Sequence, residues 1–117
     1  MTPEAQVKAK VRQYLGEYGS LYQHWPVPGG FGRTTVDCIG CYRGFFFAIE
    51  TKAPGKKPTV RQVGVLNSME RAMGRTFVID SIDSPVLEEL RAWLDQLTTM
   101  VPDDPHLTSD PVRRRPV

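Results

Sequence analysis

Apolar positions recur along the chain with two periods, and the switches between them divide it into elements. Val7, Val11, Leu15 and Tyr18, with Tyr14 beside them, fall three or four positions apart and predict an amphipathic helix. Thr2 and Pro3 open it, a capping hydroxyl followed by proline at the first helical position. Gly16 and Gly19 loosen its end, and Leu21–Val27 alternates as a strand does. Pro28-Gly29-Gly30-Phe31-Gly32-Arg33 predicts a connecting loop, with neither the Walker nor the dinucleotide-binding spacing. The runs Thr34–Gly40 and Gly44–Lys52 predict two strands that can pair as a hairpin across Cys41-Tyr42-Arg43-Gly44.

Past Pro54-Gly55, a basic turn leads to Thr59 and Gln62, which match a capping box for a second helix. Gln62, Leu66, Met69 and Met73 share one face of it, and Gly74 is placed to end it as a C-cap. Arg75–Ile79 predicts a short strand. Ser84-Pro85 starts a third helix with a Leu87, Leu90, Leu94 and Leu97 stripe and an acidic outer face of Glu88, Glu89 and Asp95. Prolines at 102, 105, 111 and 116 with few apolar residues predict a flexible tail, so the expected division is a domain over 1–100 and a tail over 101–117. The resulting order, α-β-β-β-α-β plus a C-terminal helix, predicts an α/β fold with the first three strands mostly antiparallel.

The second hairpin strand carries the candidate chemistry. Alternation puts Phe45, Phe47, Ile49 and Thr51 on one side and Phe46, Ala48, Glu50 and Lys52 on the other. A carboxylate and an ammonium thus emerge side by side where an apolar strand runs out. The preceding run adds Asp37, and pairing of the two runs lets Asp37 and Glu50 converge on one cation. Oxygen donors of this kind suit Mg²⁺ or Mn²⁺, with the Thr51 backbone carbonyl as a third donor. Lys52 is then placed to position a water and to steady developing negative charge. The Thr51 side chain is expected to face away from this site. Glu4, in the first turn of the first helix, either complements the helix dipole or faces the site from the buried stripe.

Asp37 followed by Glu50-Thr51-Lys52 resembles the D…ExK arrangement of the PD-(D/E)xK nucleases. With Glu4 in EAQVKAKV before it and Gln62 in KKPTVRQVGVL after it, the order resembles a stand-alone VRR-NUC domain over roughly Thr2 to Ile82. The resemblance implies a restriction-endonuclease-like core with a mixed sheet flanked by helices. It also implies a Mg²⁺- or Mn²⁺-dependent deoxyribonuclease, acting on branched or structured DNA of the Holliday-junction type. Glu4, Asp37, Glu50, Lys52 and Gln62 are its implied catalytic set, with Asp37 and Glu50 on the metal, Glu4 reaching it through water, and Gln62 beside Lys52. Val36 stands where the family often has proline, and Thr51 where it often has valine. A junction-cutting member would act as a homodimer in a bacterial cytoplasm, phage-encoded members included.

Composition sharpens this. The chain has 15 Lys/Arg against 13 Asp/Glu, but residues 1–75 hold 11 against 5 and residues 76–112 hold 1 against 8. The candidate site lies in the basic portion, which suits a polyanion. Arg33, Lys56, Lys57 and Arg61 are the expected contacts to the DNA backbone, and Arg113–Arg115 adds charge to the tail. A non-catalytic nucleic-acid-binding module would share this charge and is the alternative reading. Two cysteines, Cys38 and Cys41, give no disulfide framework and predict a reducing compartment; as C-x-x-C they would need His24 and His106 to complete a zinc site. No apolar run is long enough to span a bilayer.

Overall fold

The computed structural model describes residues 1–27 and 36–103. The glycine-rich segment with Arg33, the Thr34-Thr35 start of the expected second strand, His106 and the Arg113–Arg115 run lie outside the described residues. The elements are α1 (Pro3–Gly16), β1 (Tyr22–His24), β2 (Cys38–Tyr42), β3 (Phe45–Thr51), α2 (Val60–Arg71), β4 (Arg75–Ile79) and α3 (Pro85–Met100). The strands form one sheet in the order β1-β2-β3-β4, antiparallel across β1–β2–β3 and parallel between β3 and β4. A parallel pair needs a crossover, and α2 supplies it. The predicted α/β architecture, a mixed sheet flanked by helices, is the one that forms.

Strand alternation divides the core into two layers. Phe47 and Ile49 of β3 meet Val7, Val11 and Leu15 of α1 and the four leucines of α3 on one side of the sheet. Ala48 turns the other way and packs with Val36 and Leu66, with Val65 and Met69 of α2 partly buried beside them. Two helices cover the first face and α2 alone the second. Of the acids expected on the outside of α3, Glu88 and Glu89 are exposed. Asp95 is exposed as well, and it also accepts the Tyr18 hydroxyl at 2.5 Å, tying α3 to the end of α1.

Three boundaries differ from the sequence expectation. The first strand shrinks to Tyr22–His24. β2 starts and turns later than expected: Tyr42 lies directly opposite Phe45, leaving only Arg43-Gly44 as the turn. Both turn residues have positive φ, 52° and 87°, the pair of left-handed residues whose twist suits a two-residue hairpin. Tyr42 joins the strand because its ring is buried and its hydroxyl shares a 2.7 Å hydrogen bond with Thr98. The third difference is at the end of α2, where the left-handed residue is Met73 (φ 74°), not Gly74. Met73 consequently leaves the buried stripe and is exposed. Gly74 answers a steric need instead, since a Cβ there would lie 2.7 Å from Phe46 Cδ1.

Gly40 is a second position where only the absence of a side chain fits. A Cβ there would lie 2.3 Å from Phe47 Cζ and 2.5 Å from the Tyr22 carbonyl oxygen. Gly40→Ala is expected to destabilise the protein by about 1–3 kcal/mol, the usual cost of overpacking, and to lower its urea midpoint. An unchanged midpoint would contradict the packing of β1, β2 and β3 given above.

Candidate active site

The site forms where a ladder ends. The last β2–β3 pair on this side is Cys38 with Ile49, so Asp37 falls opposite Glu50, one step beyond it. On its other edge β3 stays paired with β4 through Thr51 and Ile79, and the Lys52 N–H extends this with a bond to the Ile79 carbonyl at 2.9 Å. The N–H of Thr51 donates to Asp37 Oδ2 at 2.8 Å, so a carboxylate oxygen serves it where β2 has not yet begun. The Thr51 hydroxyl donates to the same oxygen at 2.7 Å. This corrects the expectation that the Thr51 side chain faces away: its hydroxyl holds the Asp37 carboxylate in place.

Asp37 and Glu50 meet, as the alternation predicted, and their carboxyl groups hydrogen-bond one another. Burial pushes the Glu50 carboxyl up to about 8, the bond to Asp37 and its negative charge add to the rise, and Lys52 partly offsets it. Burial alone would raise Asp37 too, but bonds from Glu50 and from the Thr51 amide and hydroxyl, with Lys8 nearby, hold it below the usual carboxylate range. The pair therefore divides into a protonated Glu50 and an ionised Asp37 near neutral pH. Glu50 is 1% exposed, and its Oε2 has no hydrogen-bond partner among the described residues.

The other expected residues are placed unevenly. Lys52 is half-buried at the exit of β3, and its charge is felt by Glu50. Glu4 is close enough to raise Glu50 further. It does not complete a cluster, however: no group of three or more His, Cys, Asp and Glu side chains suited to a metal occurs among the described residues. Gln62 forms the capping box, its Oε1 accepting from the Thr59 N–H at 2.9 Å while its own N–H donates to Thr59 Oγ1 at 3.2 Å. Of its two expected roles, the cap is the observed one. Lys56, Lys57 and Arg61 are exposed on the β3–α2 turn and the first turn of α2. Cys38 is buried and Cys41 exposed, three positions apart on a strand and so on opposite faces; burial pushes the Cys38 thiol up to about 12.

One contact lay outside the sequence expectation. Lys8 Nζ stands 3.6 Å from Asp37 Oδ1. The only signal for it was its position four residues after Glu4, which puts both on one helix face.

The donor set fits a hard divalent cation. Asp37 and Glu50 offer only oxygens; Cys38 faces the other side of the sheet, and Cys41, on their side, sits four residues along β2 from Asp37. Glu50 Oε2 is the strongest single indication, because a buried polar atom without a partner is costly unless something binds it. Among the described residues no helix is long and apolar enough to cross a membrane.

No protein-family model matches the chain, and no curated protein matches it. A solved structure described as a VRR_NUC domain does, with a TM-score of 0.59 at 18% identity over 86% of this chain and 98% of that one. Ordered helix, antiparallel strands, crossover helix and parallel strand, with two carboxylates at the open end of the central ladder, this chain has the fold of a VRR_NUC domain.

Proposed function

We propose that the chain is a metal-dependent nuclease hydrolysing DNA phosphodiester bonds, with Mg²⁺ or Mn²⁺ as cofactor and branched or otherwise structured DNA as substrate. The observation that carries this reading is the meeting of Asp37 and the buried, unpartnered Glu50 Oε2 at the end of β3, with the Lys52 charge beside them. The VRR_NUC fold supports it. Asp37 and Glu50, with the Thr51 backbone carbonyl, would hold the ion, and Glu4 would reach it through a water. A bound divalent ion supplies Lewis acidity toward the phosphate and lowers the pKa of a coordinated water.

The chain's own groups do the rest. Thr51 fixes Asp37 so that its carboxylate needs no reorientation when the cation is taken up. Glu50 sheds its proton on cation uptake. Lys52 positions the attacking water and steadies charge gathering on the phosphate oxygens. Gln62, through its cap, sets the start of α2 behind the strand exit. Lys56, Lys57 and Arg61, with Arg33, bind the DNA backbone. The test is a cleavage assay on single-stranded, duplex, flap and four-way substrates with and without Mg²⁺ or Mn²⁺. Metal-dependent cleavage favouring the branched substrates is expected; salt-sensitive binding without cleavage would establish the non-catalytic alternative instead.

Cutting both strands of a junction takes two sites, so we extend the proposal to a homodimer. An open apolar groove lined by Phe45, Phe46, Val65, Met69 and Met73 supports a second copy as the occupant of this face. Light scattering is expected to return a dimer mass, and Met73→Glu, at an exposed position, is expected to shift it toward monomer. A monomeric wild type at working concentration would end the dimer and leave the nuclease reading standing.

A further inference from the structure

Lys8 is used neither by the strand motif nor by the roles assigned above, yet it is the cation paired with Asp37. The two oxygens of Asp37 are not equivalent. Oδ2 already accepts two bonds from Thr51, at 2.8 and 2.7 Å. Oδ1 is the oxygen that faces Lys8, at 3.6 Å. That separation is longer than the roughly 2.7–2.9 Å of a charge-assisted hydrogen bond, so the pair is held by charge rather than by a fixed bond. The Lys8 side chain is 40% exposed. It therefore reaches the solvent side of the site, and its four-carbon stem can swing without moving the helix. A divalent cation and an ammonium cannot both settle on Oδ1, because like charges at that range repel strongly. A cation held there would drive Lys8 outward, toward the side from which a phosphate must approach.

We infer that Lys8 is an exchangeable counter-charge of the site: it balances Asp37 while no divalent ion is held, and is released to grip the DNA phosphate when one is. This rests on the nuclease reading and adds to it a positioning residue on α1. Lys8→Met keeps the length of the side chain and a good helix former while removing the charge. Ca²⁺ titrated by calorimetry into wild type and Lys8→Met should bind the variant about two- to fivefold more tightly, the range of a partly exposed ion pair. In saturating Ca²⁺, binding of a four-way DNA junction should weaken several-fold in Lys8→Met. The slope of log K against log salt should fall by about 0.7–0.9, one phosphate contact, and Lys8→Arg should restore both. Wild type that binds Ca²⁺ while Lys8→Met changes neither metal affinity nor the salt slope would overturn the Lys8 assignment alone. Wild type that takes up no divalent ion would overturn the nuclease reading and this inference together.

Discussion

Lys52→Ala is expected to lower Mg²⁺- or Mn²⁺-dependent DNA cleavage by on the order of 10²–10³, the usual effect of removing a preorganised group that stabilises transition-state charge. The protein should remain folded, because Lys52 belongs to the sheet through its backbone N–H to Ile79 and its side chain is only half-buried. Asp37→Asn should be at least as damaging to cleavage. An asparagine can still accept from the Thr51 amide and hydroxyl, so the turn into β2 is preserved while the charge that would hold a cation is lost. Circular dichroism and a thermal melt separate the two effects: both variants should melt within a few degrees of wild type. Full cleavage by either folded variant would refute the assignment of the site.

The second large effect concerns the metal-free protein. Glu50 holds its proton up to about 8 when folded, whereas a carboxyl in the unfolded chain releases it near 4.3. A folded pKa above the unfolded one gives stability that is complete below the unfolded value and is lost as pH rises through the folded one. Metal-free wild type should therefore lose stability between about pH 4.5 and 8. Asp37 acts oppositely, its lowered pKa giving stability that is lost only in acid, below the usual carboxylate range. Glu50→Gln keeps the shape and removes the titration. It should abolish cleavage yet melt higher than metal-free wild type at pH 8, with the gap closing toward pH 5. Each kcal/mol corresponds to roughly 4 °C in a domain of this size. A gap that is absent at pH 8, or that widens on acidification, would show that Glu50 is not held protonated.

How much of this was legible beforehand depended on the range of the interaction. Spacing alone predicts burial of the leucines of α3 and of the Val7, Val11 and Leu15 stripe of α1, and all are buried. The separation of Phe47 and Ile49 from Ala48 followed from the two-residue period of a strand. So did the emergence of Glu50 and Lys52 at its end. The capping box at Thr59 and Gln62 was equally local. Misplaced features were those where a distant side chain outweighed a local preference. Local sequence favours a turn at Tyr42, but burial of its ring against the helices draws it into the strand. Local sequence favours Gly74 as the left-handed cap, but the Phe46 ring claims the space beside it and the positive φ falls on Met73.

The sequence by itself determined the elements, their buried faces and the side of β3 on which Glu50 lies, because backbone period and helix capping act within a few residues. Only the tertiary structure decided which atoms meet: that Thr51 clamps Asp37, that Lys8 stands at its other oxygen, and that Glu50 is left buried with one oxygen unpartnered. The physical reason is where the β2–β3 ladder stops. That endpoint depends on how the whole sheet packs between its helices, and two residues of further pairing, bringing Val36 opposite Thr51, would have given the Thr51 amide to a backbone carbonyl instead of to a carboxylate.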